Sequence, residues 1–259
     1  MNIIVCIKQV PDTTSVSINP ETNTIIREGI PSIINPFDTN AIETALQLKE
    51  KYGGKTTVIT MGPPQAEKAL REAISMGIDN VYLISDSAFA GSDTLVTAVV
   101  LGFAIEKIGF DLIICGKQAI DGDTAQVGPE LAELLGIPHI SYVCKLPEII
   151  DGKIIAEREL EESYETIETV LPSLITVTKQ INEPRMPSLK RKIFAKNTNI
   201  PRLTKIDLDI NESFCGLSGS PTRVNRIFVP EKKEGRRLTG SPEKMVSVLI
   251  EEIKTKGII

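Results

Sequence analysis

DLIICGKQAIDGDTAQVGPELAELLG, residues 111–136, sets the fold class. Leu112, Ile113, Ile114 and Cys115 make an apolar run too short for a helix and suited to a strand buried on both faces. The strand ends at Gly116. The residues that follow are polar and carry glycine, and Pro129 then opens a helix in which Leu131, Leu134 and Leu135 fall at helical spacing before Gly136 can cap. A strand, a polar glycine-bearing loop and a helix are the parts with which open parallel sheets hold nucleotides. The first turn of a helix leaves N–H groups unpaired and carries partial positive charge, and both suit a phosphate. Neither GxGxxG nor GxxxxGK[ST] is present, so an ordinary polar loop above a sheet remains open at this point.

Working toward the N-terminus, residues 2–10 predict a first strand, central in a parallel sheet, with Lys8, Gln9 and Pro11 at its ligand-binding carboxyl end. Residues 12–34 suggest a hairpin excursion, with the pairs Val16/Ile18 and Ile25/Ile26 on either side of a polar turn. A helix follows, with Asp38 or Thr39 expected as N-cap and Gly53 ending it. Asn35-Pro36-Phe37 then forms its entry loop, whose plain role is to set the helix angle. Strands at 56–61 and 81–84 alternate with a helix ending at Gly77 and one capped by Ser92 or Asp93. A further strand covers 139–144. This alternation of β and α predicts a mainly parallel, doubly wound, Rossmann-like sheet with helices on both faces.

At 259 residues the chain can bury a large core. Its net charge of -5 offers no global attraction to nucleic acid, and 4% aromatic residues do not furnish a base-stacking platform. Cys6, Cys115, Cys144 and Cys215 lie far apart, without CxxC spacing, and are expected to be reduced structural thiols. No metal site is expected. The N-terminus lacks a signal peptide's apolar stretch and cleavage site, and the longest apolar segment, 95–105, is far short of a membrane span, so a soluble cytoplasmic protein is expected. His139 is expected to be a partly buried strand-edge residue, away from any nucleophile. For Asp121 and Asp123, turn and cap chemistry with backbone N–H groups is favoured over metal binding or acid–base work.

Beyond Pro147 the pattern changes. GKIIAEREL and ETIETVL, separated by EESY, predict an antiparallel hairpin, and LPSLITVT a further strand. Residues 181–210 show poor periodicity, several prolines and a cluster of cations at Arg185, Lys190, Arg191, Lys192 and Lys196. On composition that charge fits equally a solvated loop or an arm docking on another protein. Residues 241–256 predict a capped amphipathic helix. The division expected is a nucleotide-binding α/β domain over 1–180, including the hairpin, and a partner-docking arm with a C-terminal helix over 181–259.

GKQAIDGDTAQVGP, the INPFDxxAxExAL helix entry, TMGP, the run RELEESYETIETVLPSLITV and the arm NEPRMPSLKRKIFAK together resemble the beta subunit of electron-transferring flavoproteins. The resemblance spans nearly the whole chain. Ser163 departs from the small or acidic residue usual there, and residues 224–239 carry no assignment. The resemblance implies a heterodimer with a larger alpha subunit, in which no side chain is catalytic and the flavins carry the redox chemistry. It places Cys6, Asn35, Pro36, Phe37, Asp38, Met61 and Gly62 around the nucleotide, with Gly116, Lys117, Gln118, Ala119, Ile120, Asp121, Gly122, Asp123, Thr124, Ala125, Gln126 and Val127. A β-branched residue at Gly122 is expected both to restrict φ and to fill space needed by a phosphate. Leu189 takes the position that docks on an acyl-CoA dehydrogenase-like or other flavin dehydrogenase, or else plugs against the alpha subunit.

The DGDTAQVGP form of the loop and the NPFD entry resemble the electron-bifurcating anaerobic members. These imply FAD in this chain's site, NADH as donor, and ferredoxin or flavodoxin as low-potential acceptor; AMP is the alternative occupant. In that case the chain is part of an NADH-dependent oxidoreductase complex. An adenine-nucleotide-hydrolysing or adenylating enzyme, or a nucleotide-gated binding module, would be the readings of another class. The absence of a lysine-bearing phosphate loop and of a placed base counts against the enzyme.

Overall fold

Continuous apolar strands demand cover on both faces, and alternate residues of the first strand supply both cores. In the computed structural model, which describes residues 1–12, 17–18, 25–26, 31–225, 235 and 237–257, Ile3 and Val5 face one side and Ile4 and Cys6 the other. The elements run β1 Asn2–Cys6, β2 Gln9–Pro11, β3 Ser17–Ile18, β4 Ile25–Ile26, β5 Ser32–Ile34, α1 Pro36–Tyr52, β6 Lys55–Met61, α2 Glu67–Met76, β7 Asn80–Ile84 and α3 Thr94–Ile108. They continue with β8 Leu112–Gly116, α4 Val127–Leu134, β9 His139–Val143, β10 Glu148–Ile150, β11 Lys153–Glu159, β12 Tyr164–Val170, β13 Ser173–Val177, α5 Leu189–Asn197, β14 Arg202–Leu203, α6 Gly216–Gly219 and α7 Pro242–Thr255.

The central sheet has the order β10-β11-β9-β13-β8-β1-β6-β7-β14, with β12 paired to β11. Pairing is parallel from β9 through β14. Helices α1 and α2 cover one face, where Ile42, Leu46, Leu70 and Ile74 pack on Ile3 and Val5. Helices α3 and α4 cover the other, where Val100, Leu101, Ile105 and Leu131 pack on Ile4, Ile59 and Ile113. The doubly wound architecture read from the alternating pattern is therefore present. So is the antiparallel hairpin β11–β12, and β3 pairs antiparallel with β4 as the excursion requires. Val16, named in that excursion, lies outside the described residues. Among the described residues no helix is long and apolar enough to cross a membrane.

Several expectations are corrected. The first strand does not run to Val10. It stops at Cys6, because the Lys8 N–H and C=O are taken by Asp38 and Asn35, and β2 leaves to pair with β5. Helix α1 starts at Pro36, and neither Asp38 nor Thr39 caps it; Asn35 holds the cap position, with no capping bond from its side chain. Helix α4 starts at Val127, ahead of Pro129. His139 is exposed, and β9 lies inside the sheet between β13 and β11 rather than at an edge.

The basic stretch read as irregular contains α5. Ser188 caps it by accepting the Arg191 N–H, and Arg71 closes its other end by donating to the carbonyls of Ala195, Lys196 and Thr198 at 2.6, 2.9 and 3.1 Å. Its apolar periodicity is weak because Ala195 is its one buried residue. Arg185, grouped with the free cations by sequence, is paired with the carboxylates of Glu43 and Glu50 at 2.8 and 2.6 Å. Residues Met1–Asn225 form one compact unit and Arg226–Ile259 a second; the second contains α7, capped by Ser241 through the Lys244 N–H.

Candidate functional site

The carboxyl ends of β1 and β8 lie side by side in mid-sheet, with Cys6 in register with Cys115. Chain order reverses there, since β6 and β7 extend from β1 on one side and β8 lies on the other. Crossovers leaving in opposite directions open a crevice above such a pair, which is where open α/β sheets bind ligands. The loop 117–126 hangs over this crevice and runs into the first turn of α4.

Two buried side chains fix that loop. Asn35 is 0% exposed. Its Nδ2 donates to the Gln118 carbonyl at 2.8 Å and to Asp38 at 2.9 Å, and its Oδ1 accepts the Ile120 N–H at 3.2 Å. Asp38, 5% exposed in the first turn of α1, accepts the Lys8 N–H at 2.7 Å. Lys8 in turn reaches over the loop, with its Nζ 2.6 and 2.8 Å from the two Asp121 oxygens. Gly116 lies so close to Asp38 that a Cβ there would strike its carboxylate, and would come within 2.8 Å of the Phe37 Cβ. Both Asn35 and Asp38 thus face the loop and strand ends rather than the open crevice.

The loop's own backbone has the geometry of an anion site. Asp123 and Ala125 are left-handed, each with φ 54°, and the Asp123 N–H is closed onto the Ala119 carbonyl at 2.8 Å. Among the described residues the N–H groups of Thr124, Ala125 and Gln126 meet no intramolecular acceptor, and Gln126 gives α4 no side-chain cap. Left-handed residues next to a helix N-terminus aim successive N–H groups into one concavity, a nest for phosphate oxygens. The residues present therefore fit a dinucleotide or mononucleotide phosphate. Gly122 has no left-handed φ, and among the described residues a Cβ there meets nothing within 4 Å, so the protein itself leaves this position open. The turn-and-cap role expected of the acids is also corrected, as Asp121 pairs with Lys8 and Asp123 accepts the Gln118 side-chain amide.

Burial pushes the Asp38 carboxyl up to about 7, against the opposing pull of Asn35, the Lys8 and Gly116 N–H groups and the Lys8 charge. Its hydrogen bond with Cys115, its burial and the Asp38 charge hold the Cys6 thiol well above the ordinary range. All four cysteines are buried and free, as expected of structural thiols. Helix α4 is tied at its start to α3, because the Thr94 hydroxyl lies 3.1 Å from Glu130 and 3.4 Å from Gln126. Burial raises the Glu130 carboxyl, with Thr94 opposing and the Asp93 charge adding.

Of the residues expected at the site, Cys6, Asn35, Asp38 and the loop are brought together. Phe37 stands beside them under the Lys179 ammonium, 5.0 Å from its ring centre. Met61 and Gly62 lie at the carboxyl end of β6, across β1 from the loop. The sequence pointed to Lys8 only by its place after β1, and nothing in it pointed to Thr94 or Glu130. Leu189, at the start of α5, is 75% exposed, beside exposed Met186, Ile193 and Phe194.

Residues 22–206 match the electron transfer flavoprotein domain. The chain is 52% identical, over the full length of both proteins, to the electron transfer flavoprotein subunit beta of Thermoanaerobacterium thermosaccharolyticum. It is 47% identical to that of Clostridium acetobutylicum over 96% of each chain. To subunit CarD of the caffeyl-CoA reductase-Etf complex of Acetobacterium woodii it is 46% identical over the full length of both.

Gly116, which ends β8, and Gly122, in the loop, are expected to behave oppositely in thermal unfolding. Gly116→Ala forces a Cβ into Asp38 and Phe37 and should cost about 1–3 kcal/mol of stability. Gly122→Val points into open space and should leave the unfolding temperature unchanged. Equal losses for the two variants would contradict this packing.

Proposed function

Because the chain belongs to the electron transfer flavoprotein family as a beta subunit, we propose that it binds FAD in the β1–β8 crevice and serves in bifurcating electrons from NADH. One branch leads to an alpha-subunit flavin and a dehydrogenase, the other to ferredoxin or flavodoxin. The observation that carries the assignment of the site is the run of N–H groups from Thr124 to the start of α4 that meet no acceptor among the described residues, beside left-handed Asp123 and Ala125. FAD, when bound, supplies the redox chemistry. This chain's residues bind and orient it. The backbone of 124–128 and the α4 N-terminus take the phosphates, with Gly116–Val127, Cys6, Pro36, Phe37, Met61 and Gly62 lining the place. Asn35 and Asp38 hold the loop from behind.

FAD is favoured over AMP by the small, open rim of the loop. Gly122 has no neighbour for a Cβ to meet, and residues 121–124 are exposed, so space continues beyond the first phosphate. The Acetobacterium woodii relative is named as a subunit of a caffeyl-CoA reductase-Etf complex, in keeping with a dehydrogenase-type partner here. A cytoplasmic location belongs to the same reading.

The test is to purify the chain with its alpha subunit, assay its nucleotides and add NADH. A second FAD and NADH oxidation are expected. One FAD with one AMP, and no NADH oxidation, would reject bifurcation while leaving the family unchanged.

Docking is assigned to exposed Leu189. Leu189→Ala should weaken binding of the dehydrogenase by ~2 kcal/mol, roughly thirty-fold, with flavin and nucleotide contents unchanged. Unaltered dehydrogenase binding would move the anchor elsewhere.

A further inference from the structure

A carboxylate buried behind a phosphate site is an unexpected choice, since it costs desolvation and carries the ligand's own sign of charge. Asp38 is such a group, and its bonds explain its presence. Its oxygens accept the Lys8 N–H at 2.7 Å and the Asn35 amide at 2.9 Å, and it packs against the Cβ-less Gly116. Each contact leads to the loop by a separate path. Lys8 reaches Asp121, Asn35 reaches Gln118 and Ile120, and Gly116 is the residue from which the loop departs.

We propose that Asp38 is the positioning residue of the nucleotide site: its ionised carboxylate fixes the loop 117–126 from behind, by these three paths, without touching the ligand. This rests on the nucleotide site assigned above. N–H donors and an amide converge on the group, so the ion accepts them all, whereas protonation converts one oxygen into a donor and loosens the set. The titratable and charged groups that face it are few. Lys8 is held by Asp121, and the Cys6 thiol, bonded to Cys115, stays neutral well above physiological pH.

Two readouts of opposite sign follow, because burial raises this carboxyl to about 7. Only the ionised fraction grips the loop, so apparent affinity should fall about ten-fold from pH 8 to pH 6. Stability moves the other way. A carboxyl raised on folding contributes stability that is present below its unfolded value near 4 and lost as pH rises through the folded value.

The experiment is equilibrium dialysis of FAD against the full-length chain at pH 6 and 8, with unfolding temperatures at the same pH values, for the wild type, Asp38→Asn and Asn35→Ala. The wild type should bind FAD more tightly at pH 8 while unfolding at a lower temperature relative to Asp38→Asn. Asp38→Asn should bind weakly and without that pH dependence, and Asn35→Ala weakly with part of it. A role confined to stability would move unfolding alone and overturn the proposal. Wild-type affinity that is flat, or that rises toward pH 6 because phosphate repulsion governs, overturns it even if Asp38→Asn does not fold. Failure of FAD to bind the wild type at either pH would remove the site itself, a result distinct from binding without pH dependence.

Discussion

The pairing of β1 with β8 on one side and β6 on the other is the constraint from which the rest follows. Once β1 is central, the chain must cross over to opposite faces on its two sides, and the two strand ends are left uncovered between the departing segments. That gap is polar by necessity, because the backbone emerging from it can no longer bond within the sheet. The chain meets the necessity with side chains. Asn35 and Asp38, both buried, take up the backbone groups of Lys8, Gln118 and Ile120 that the sheet releases.

The same solution leaves a second set of groups free. With 118–120 fixed from behind, Asp123 closes onto Ala119, the chain turns through left-handed Asp123 and Ala125, and among the described residues the N–H groups from Thr124 to the start of α4 meet no intramolecular acceptor. Satisfaction on the buried side and vacancy on the open side are two halves of one loop. The surface ion pair of Lys8 with Asp121 adds little energy, since Lys8 is half exposed, and its effect is to hold the loop's orientation.

Much of this was legible in the sequence for physical reasons. Runs such as residues 3–7 and 112–115 are apolar at every position, which only a strand covered on both faces requires, and Gly116 followed by polar residues marks the exit. What could not be read was long-range. Nothing local says that β13 returns from beyond the hairpin to insert between β8 and β9, or that β14 adds to β7. Helix α5 escaped because a helix resting on one alanine shows no apolar stripe. Asp38 was expected as a cap because acids favour that position, but the carboxylate serves Lys8, thirty residues earlier in the chain, and the first helical residue is the proline before it. The left-handed positions fell on Asp123 and Ala125 rather than on Gly122, since the closure onto Ala119 sets the turn and leaves the glycine in ordinary backbone space.

The central claim is that the backbone of this loop is the nucleotide's phosphate site. Hydrogen–deuterium exchange of the full-length chain with and without FAD tests it most directly, because among the described residues the N–H groups in question meet no intramolecular acceptor. Amides of 124–128 should exchange freely without FAD and slow markedly with it, while the Ile120 amide, already held by Asn35, should change little. Protection confined to other strand ends, with 124–128 unaffected, would contradict the account.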